Sequence, residues 1–277
     1  MGTWQDSLNA HYGRPGLDLM IRDAFAAAGL TPGEVTLDHL ADLDQFHLRG
    51  LEATRELAAL AELKPGLRVL DAGCGLGGPA RTLAADFGCT VVGLEIVEDF
   101  CRAAAMLSEW VGLADKVAFR VGDMRAMPFA AGAFDLIISQ HTVMNIEDKG
   151  ALFAEMRRVL RPGGRLLLHE VCGDQAADLH YPVPWASDPG ISFLVSAAEL
   201  RRLIVGAGFT EQRWVDQTPA TRAWFDRIAA VRSREPAQPR LPNLGLVMGA
   251  EAAVKSRNLR RNLVEDRLGV VQGVFGG

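Results

Sequence analysis

The residues best equipped for chemistry lie where short apolar runs end. Residues 69–81 read VLDAGCGLGGPAR, an apolar pair running into Asp71 and then Gly73, Gly75, Gly77 and Gly78. Glycine is needed where a backbone turns sharply and comes close to a ligand. The spacing Gly73-x-Gly75-x-x-Gly78 also satisfies the dinucleotide fingerprint, so the glycines alone do not choose a ligand. Three carboxylates narrow the choice. Asp71, two residues before the first glycine, is a poor neighbour for a pyrophosphate and a suitable one for a cationic ligand. Glu95 follows about twenty residues after the glycines, where its oxygens can accept from both hydroxyls of a ribose. Asp123, in Gly122-Asp123-Met124, stands where it can accept from an exocyclic amine. The set suits an adenosine bearing a sulfonium and an ammonium better than a second nucleotide. A further run, FDLIISQHTVMNIEDK (134–149), ends its apolar half in Ser139, Gln140 and His141. Such groups cost free energy to desolvate unless something receives them, so they either cap structure or face a ligand.

The elements that must position these groups alternate. From residue 66 onward, strand-like runs at 68–72, 90–95, 117–121, 134–139 and 165–171 interleave with helical patterns at 78–87, 98–111 and 149–160. That alternation predicts parallel βαβ units. The third helix is expected to stop at Arg161-Pro162-Gly163-Gly164, read as a tight turn. A helix at 197–208 and strands at 209–217 and 268–275 follow. Between the last two strands lie about fifty residues with helices at 220–232 and 244–263, far longer than an ordinary connection and typical of a lid or cover. Residues 1–64 read as helices, the last (51–63) stopping at Lys64-Pro65-Gly66.

The ordered set D-x-G-x-G-x-G, G-L-E, G-D-M and L-R-P-G-G, spread over residues 66–217, resembles the class I S-adenosylmethionine-dependent methyltransferases. GCGLGGPAR, FDLIISQH and RVLRPGG look most like the small-metabolite branch, which includes sarcosine/dimethylglycine, phosphoethanolamine and tocopherol methyltransferases. The resemblance implies an α/β Rossmann-like sheet of seven strands, mostly parallel with the last antiparallel. It also implies an N-terminal helical cover (1–64) before a cofactor-binding domain (65–277), with a helical insertion (218–265) over the acceptor site. The implied cofactor is S-adenosyl-L-methionine. Asp71, Gly73, Gly75 and Leu76 would lie at its methionine end, and Glu95 would hold the ribose diol. Ile96 would pack on the adenine, and Asp123 would accept from the adenine amine with the Met124 amide nearby.

Methyl transfer from a sulfonium is an in-line displacement, so the acceptor must be aligned, water excluded and, for some acceptors, a proton removed. Ligands of α/β sheets sit at the carboxyl ends of strands near the switch in strand order. Ser139, Gln140 and His141 are therefore expected beside the methyl group. His141 is the candidate general base, since imidazole titrates near neutrality. The competing reading has Gln140 supporting the cofactor and His141 bonded locally. His47 and Arg49, just before a helix, are candidates to neutralise the cofactor carboxylate, or else a solvated helix start. His169, with Glu170 beside it, ends the fifth strand and faces the acceptor or anchors a loop. Met144 and Asn145 follow His141 and are expected on the acceptor side. Tyr181 and Trp185, in the stretch HYPVPWASDPGISFL, suit an aromatic wall or a cation–π contact, or a structural loop. Arg257, Arg260 and Arg261 read as a solvated helix face.

Composition sets the outer limits. A chain of 277 residues, 49% apolar, is long enough for one large α/β domain with a cap. A net charge of −5 argues against a nucleic-acid surface, which carries a clustered basic face. Cys74, Cys89, Cys101 and Cys172 lack C-x-x-C spacing, so reduced thiols in a cytoplasmic protein are expected. No signal pattern and no run of roughly 20 apolar residues is present, so no membrane partner is expected. The expected partner is a small-molecule acceptor, and a homodimer is left open. Strand four is not followed by the N/D-P-P-aromatic run of amino-methylating DNA enzymes, nor is there a Pro-Cys loop for cytosine chemistry. Asp148 and Asn145 make a thin metal set, so no metal is expected. Two other readings stand beside this one. A nicotinamide-dependent oxidoreductase is disfavoured by Asp71 and by the lack of a Tyr-x-x-x-Lys pair. A catalytically silent cofactor-binding regulator is disfavoured by an acceptor pocket lined by His141 and Trp185.

Overall fold

The first strand, β1 (Arg68–Ala72), shows how the sheet is built. Successive side chains of a strand point to opposite faces. Val69 accordingly joins one apolar core with Leu136, Ile138 and Leu167, while Leu70 joins the other with Ile137, Leu166 and Leu168. A strand buried on both faces reads as a continuous apolar run, as expected of a parallel sheet with helices on both sides. The computed structural model describes residues 4–174, 178–232 and 241–277.

Seven strands form one sheet in the order β3-β2-β1-β4-β5-β7-β6. They are β1, β2 (Thr90–Glu95), β3 (Val117–Val121), β4 (Phe134–Gln140), β5 (Leu160–Cys172), β6 (Thr210–Asp216) and β7 (Gly269–Gly276). Strands β3 to β5 in that order pair in parallel, and β7 runs antiparallel to both β5 and β6. This is the Rossmann-like arrangement expected. Helices α5 (Gly78–Phe87), α6 (Glu98–Trp110), α7 (Lys149–Val159) and α8 (Ala197–Gly206) are the crossovers. Before the sheet come α1 (Trp4–Tyr12), α2 (Leu17–Ala27), α3 (Leu37–Asp44) and α4 (Gly50–Leu60). Leu57 and Ala58 of α4 share the core beneath β1 and α5. Leu17, Ile21 and Phe25 of α2 pack with Phe100, Ala103 and Leu107 of α6.

Between β6 and β7 lie α9 (Thr218–Arg232), α10 (Leu244–Met248) and α11 (Ala252–Val264). The single helix expected at 244–263 is broken at Gly249, whose φ of 72° leaves the helical region. Residues 161–164 are also not the turn they resemble. They belong to β5, bulged out where its register against β4 shifts between Phe134 and Leu136. A bulge is one of the few places in a sheet that tolerates proline. Strand β4 continues one residue past the expected Ser139, because Gln140 still pairs with His169. All four cysteines are buried and free. Among the described residues, no helix is long and apolar enough to cross a membrane.

Candidate active site

With β1 between β2 and β4, crossovers leave β1 in opposite directions, and the carboxyl ends of β1 to β4 converge on one edge of the sheet. A crevice at such a switch in strand order is where α/β proteins take ligands. A cavity opens there with about 200 Å³ of room for the centres of water-sized molecules, more than ten times the ~10–15 Å³ that one water occupies on that measure. Its lining includes Asp71, Gly73, Cys74, Gly75, Glu95, Ile96, Gly122, Met124, Gln140 and His141.

The turn after β1 is held by its own geometry. Gly73 has φ 78°, and a Cβ there would collide with the Thr142 side chain. A Cβ at Gly78 would strike the Asp44 backbone and carboxylate. Arg81, wholly buried on α5, donates to Asp44 Oδ2 at 2.9 Å, to Ser108 Oγ at 3.0 Å and to the Leu76 carbonyl. This pair ties the turn to α3 and α6. Glu95 closes the other side, accepting from the Gly75, Ile96 and Val97 amides at 3.0, 2.8 and 3.0 Å. Burial raises the Glu95 carboxyl above the usual range. Burial, reinforced by the nearby Glu95 charge, pushes Asp71 up to about 7. Asp71 Oδ2 is buried with no hydrogen-bond partner, as are Gln140 Nε2 and His141 Nε2. A buried polar atom without a partner costs about 1–3 kcal/mol. Orphaned oxygen, amide and imidazole atoms on three residues that line one cavity fit a polar ligand.

His141 is the first residue past β4, in the left-handed region at φ 51°. Its amide donates to the His169 carbonyl at 2.8 Å, and its ring stacks on that of His169 at 5.0 Å. Behind it, Glu170 is wholly buried and accepts from the Thr142 and Val143 amides and from Ser139 Oγ. Burial pushes Glu170 up to about 8. These bonds hold the loop that carries His141. Burial, with His169 and His47 nearby, drives His141 well below its ordinary value. The imidazole is therefore neutral at pH 7 and retains a free lone pair.

Other expected site residues fall into two groups. His47, Met144, Asn145 and Trp185 line the cavity. His47, lowered to about 4 by burial, bonds the Gly50 carbonyl and Thr54 Oγ1 at 3.0 Å each, so it carries no charge for a carboxylate. Arg49, Leu76, Asp123, His169 and Tyr181 are not among the lining residues. Arg49 is buried and spends its guanidinium on Glu52, Glu56 and Gln217. The Asp123 carboxylate is clamped by Arg125 at 2.6 and 3.0 Å, leaving Gly122 and Met124 beside the cavity. His169 Nε2 is 2.9 Å from the Leu48 carbonyl. Leu76 is buried in the α2–α6 core, and Tyr181 packs on the apolar cluster around Trp185. The sequence reading missed Trp4, Tyr12, Trp224 and Phe225, which also line the cavity. The spacing of Trp4, Leu8 and Tyr12, four apart on one helix face, was the available signal.

The sheet order is that of a Rossmann-like fold with an antiparallel strand near one edge. Residues 70–168 match the family model described as a methyltransferase domain. Phosphoethanolamine N-methyltransferase 3 of Arabidopsis thaliana is 38% identical over 123 residues, 44% of this chain and 25% of that protein. Methyltransferase GfsG of Streptomyces halstedii is 34% identical over 143 residues, covering 52% of this chain and 49% of that one. The chain thus spans about a quarter to a half of the length of these curated relatives. Among solved structures, geranyl diphosphate C-methyltransferase from Streptomyces coelicolor A3(2), in complex with Mg2+, geranyl diphosphate and S-adenosyl-L-homocysteine, superposes with a TM-score of 0.67. That match covers 99% of this chain and 98% of the other at 19% identity, which speaks to the fold alone.

Proposed function

We propose that this chain is an S-adenosylmethionine-dependent methyltransferase acting on a small molecule. The observation that carries the reading is the convergence of Asp71, Gly73, Gly75, Glu95, Gly122, Met124, Gln140 and His141 on one cavity. The orphaned Asp71 oxygen and the acids at two adjacent strand ends fit a cofactor with an ammonium and a ribose diol. Asp71 with the Gly73–Gly75 backbone would face the ammonium, and Glu95 would turn from its amides to the diol. Ile96 and Met124 would flank the adenine, while Asp123, clamped by Arg125, would act through the backbone it fixes. S-adenosylmethionine supplies, when bound, an activated methyl group.

The chain's own residues do the rest. Gln140 and His141, at the end of β4, would bracket the acceptor. The neutral His141 ring would accept a hydrogen bond from an acceptor hydroxyl and take its proton as the bond to carbon forms. Residues 1–64 would serve as a cover and residues 218–265 as an insertion over the acceptor, excluding water from the reaction. The four buried thiols accord with a reducing cytoplasm. Some relatives are named for phosphorylated acceptors and others for sterols or tocopherol, so the comparisons leave the acceptor open. The test is label transfer from methyl-labelled S-adenosylmethionine across a panel of phenols, apolar alcohols, amines and phosphate esters. Labelled product with at least one member is expected. Label in none, with hydride transfer from a nicotinamide cofactor instead, would overturn the reading.

A further inference from the structure

Much of the cavity wall away from the strand ends is built by α1, α9, α10, α11 and the loop at 184–185. Apart from Ser256, its side chains are apolar or aromatic, with Trp185, Trp224, Phe225, Leu244 and Leu259 typical of them. Cationic charge is missing. Among the described residues, no lysine or arginine lines the cavity.

Most cations nearby are already engaged; Arg14 donates to the His11 and Gly13 carbonyls, and Arg257 on α11 is exposed and is not a lining residue. Arg49 is held by Glu52 and Glu56, Arg81 by Asp44, and Arg125 by Asp123. Lys149 Nζ donates to the Ile146 and Phe193 carbonyls at 2.7 and 2.6 Å. Lys255, also buried, reaches the Met248 carbonyl and Glu251. Arg260 and Arg261 on α11 pair with Asp226 and Glu265. The lining acids are Asp44, Asp71 and Glu95, the first paired with Arg81 and the others assigned above to the cofactor. The two lining histidines are neutral.

An anion buried here would lose its water with no lysine or arginine to replace it and only the sulfonium as a counter-charge, a cost of several kcal/mol. Phosphate and carboxylate recognition ordinarily uses arginine forks or lysine, neither of which lines this wall. An ammonium would meet the sulfonium charge in the same low-dielectric space. We infer that the acceptor is an uncharged, largely apolar molecule that presents a single hydroxyl or carbon nucleophile to His141, and that acceptors bearing a phosphate, carboxylate or ammonium are excluded. The inference rests on the methyltransferase reading for the role of the wall.

Three probes of one shape separate the cases: 1-naphthol, 1-naphthyl phosphate and 1-naphthylmethylamine. Each is titrated calorimetrically into the full chain, first alone and then saturated with sinefungin, whose ammonium stands in for the sulfonium charge. The naphthol is expected to bind about tenfold or more tightly than either charged probe. Trp224→Ala is expected to weaken naphthol binding about fivefold, with Phe225→Ala as the second variant should the first not fold. Equal or tighter binding of the phosphate or the amine overturns the inference, as does binding of none of the three at about 1 mM. S-adenosylhomocysteine binding is read separately. If it is absent while naphthol is still preferred, the methyltransferase reading fails and the selectivity stands. If it is present and a charged probe is preferred, the reverse holds.

Discussion

At the scale of single residues, His141 carries the most specific chemical claim. It combines a left-handed backbone, an amide bond to His169, a buried ring on a residue that lines the cavity and an unpartnered Nε2. With its ring buried and two histidines nearby, an imidazolium there would be expensive. The ring therefore suits brief proton acceptance better than storage of a proton. His141→Ala is expected to lower kcat about tenfold or more while S-adenosylhomocysteine affinity changes only a few-fold. His141→Asn, which tolerates the left-handed backbone, separates loss of the ring from loss of the loop. The depressed pKa also fixes the pH behaviour. A base held well below 6.5 stays unprotonated as pH falls through neutrality, so kcat/KM for a non-titrating acceptor should show no acidic limb above about pH 6. Unchanged turnover in both variants, or a limb near pH 7 that vanishes with them, would remove this role or this environment.

At the scale of elements, α1 is fastened over the cavity through Asn145 and through His11, whose ring bonds the Pro184 carbonyl at 2.9 Å. Trp4 Nε1 donates to the Asn145 carbonyl at 2.8 Å, and Tyr12 Oη donates to Asn145 Oδ1 at 2.8 Å. Asn145 Nδ2 in turn donates to the Trp185 and Ile191 carbonyls at 3.0 and 2.7 Å. One buried amide thus joins the N-terminal helix, the loop after β4 and the aromatic loop. Asn145→Asp replaces the two donors with acceptors that face carbonyls, costing about 2–4 kcal/mol. A fall of about 5–10 °C in the melting temperature is expected by circular dichroism. An unchanged melt would show that Asn145 does not fasten these elements. Much of the element order was legible in the sequence. Strands β1 to β3 and helix α5 fall where apolar periodicity and glycine stops put them. The misread stretch, Arg161-Pro162-Gly163-Gly164, looks like a turn because proline and glycine punctuate loops locally. The bulge that absorbs it depends on pairing with β4, which no local pattern records.

At the scale of the molecule, the candidate site was legible only where its residues are tied to the glycine turn and the strand ends. Asp71, Gly73, Gly75, Glu95, Gln140 and His141 converge because a parallel sheet aligns its strand ends. Arg49 and Asp123 look like ligand residues in sequence, yet the structure spends them on ion pairs with neighbours two to seven residues away. Trp4, Tyr12, Trp224 and Phe225 come from opposite ends of the chain, and only tertiary packing brings them to one wall. The central claim concerns what the glycine turn and Glu95 hold. The most direct measurement is calorimetric titration of the wild-type chain and Glu95→Ala with S-adenosylhomocysteine and, separately, with NAD. Wild type is predicted to bind S-adenosylhomocysteine with a Kd of about micromolar or tighter, weakened about tenfold or more in a folded Glu95→Ala, with no NAD binding. Tight NAD binding without S-adenosylhomocysteine binding would contradict the account.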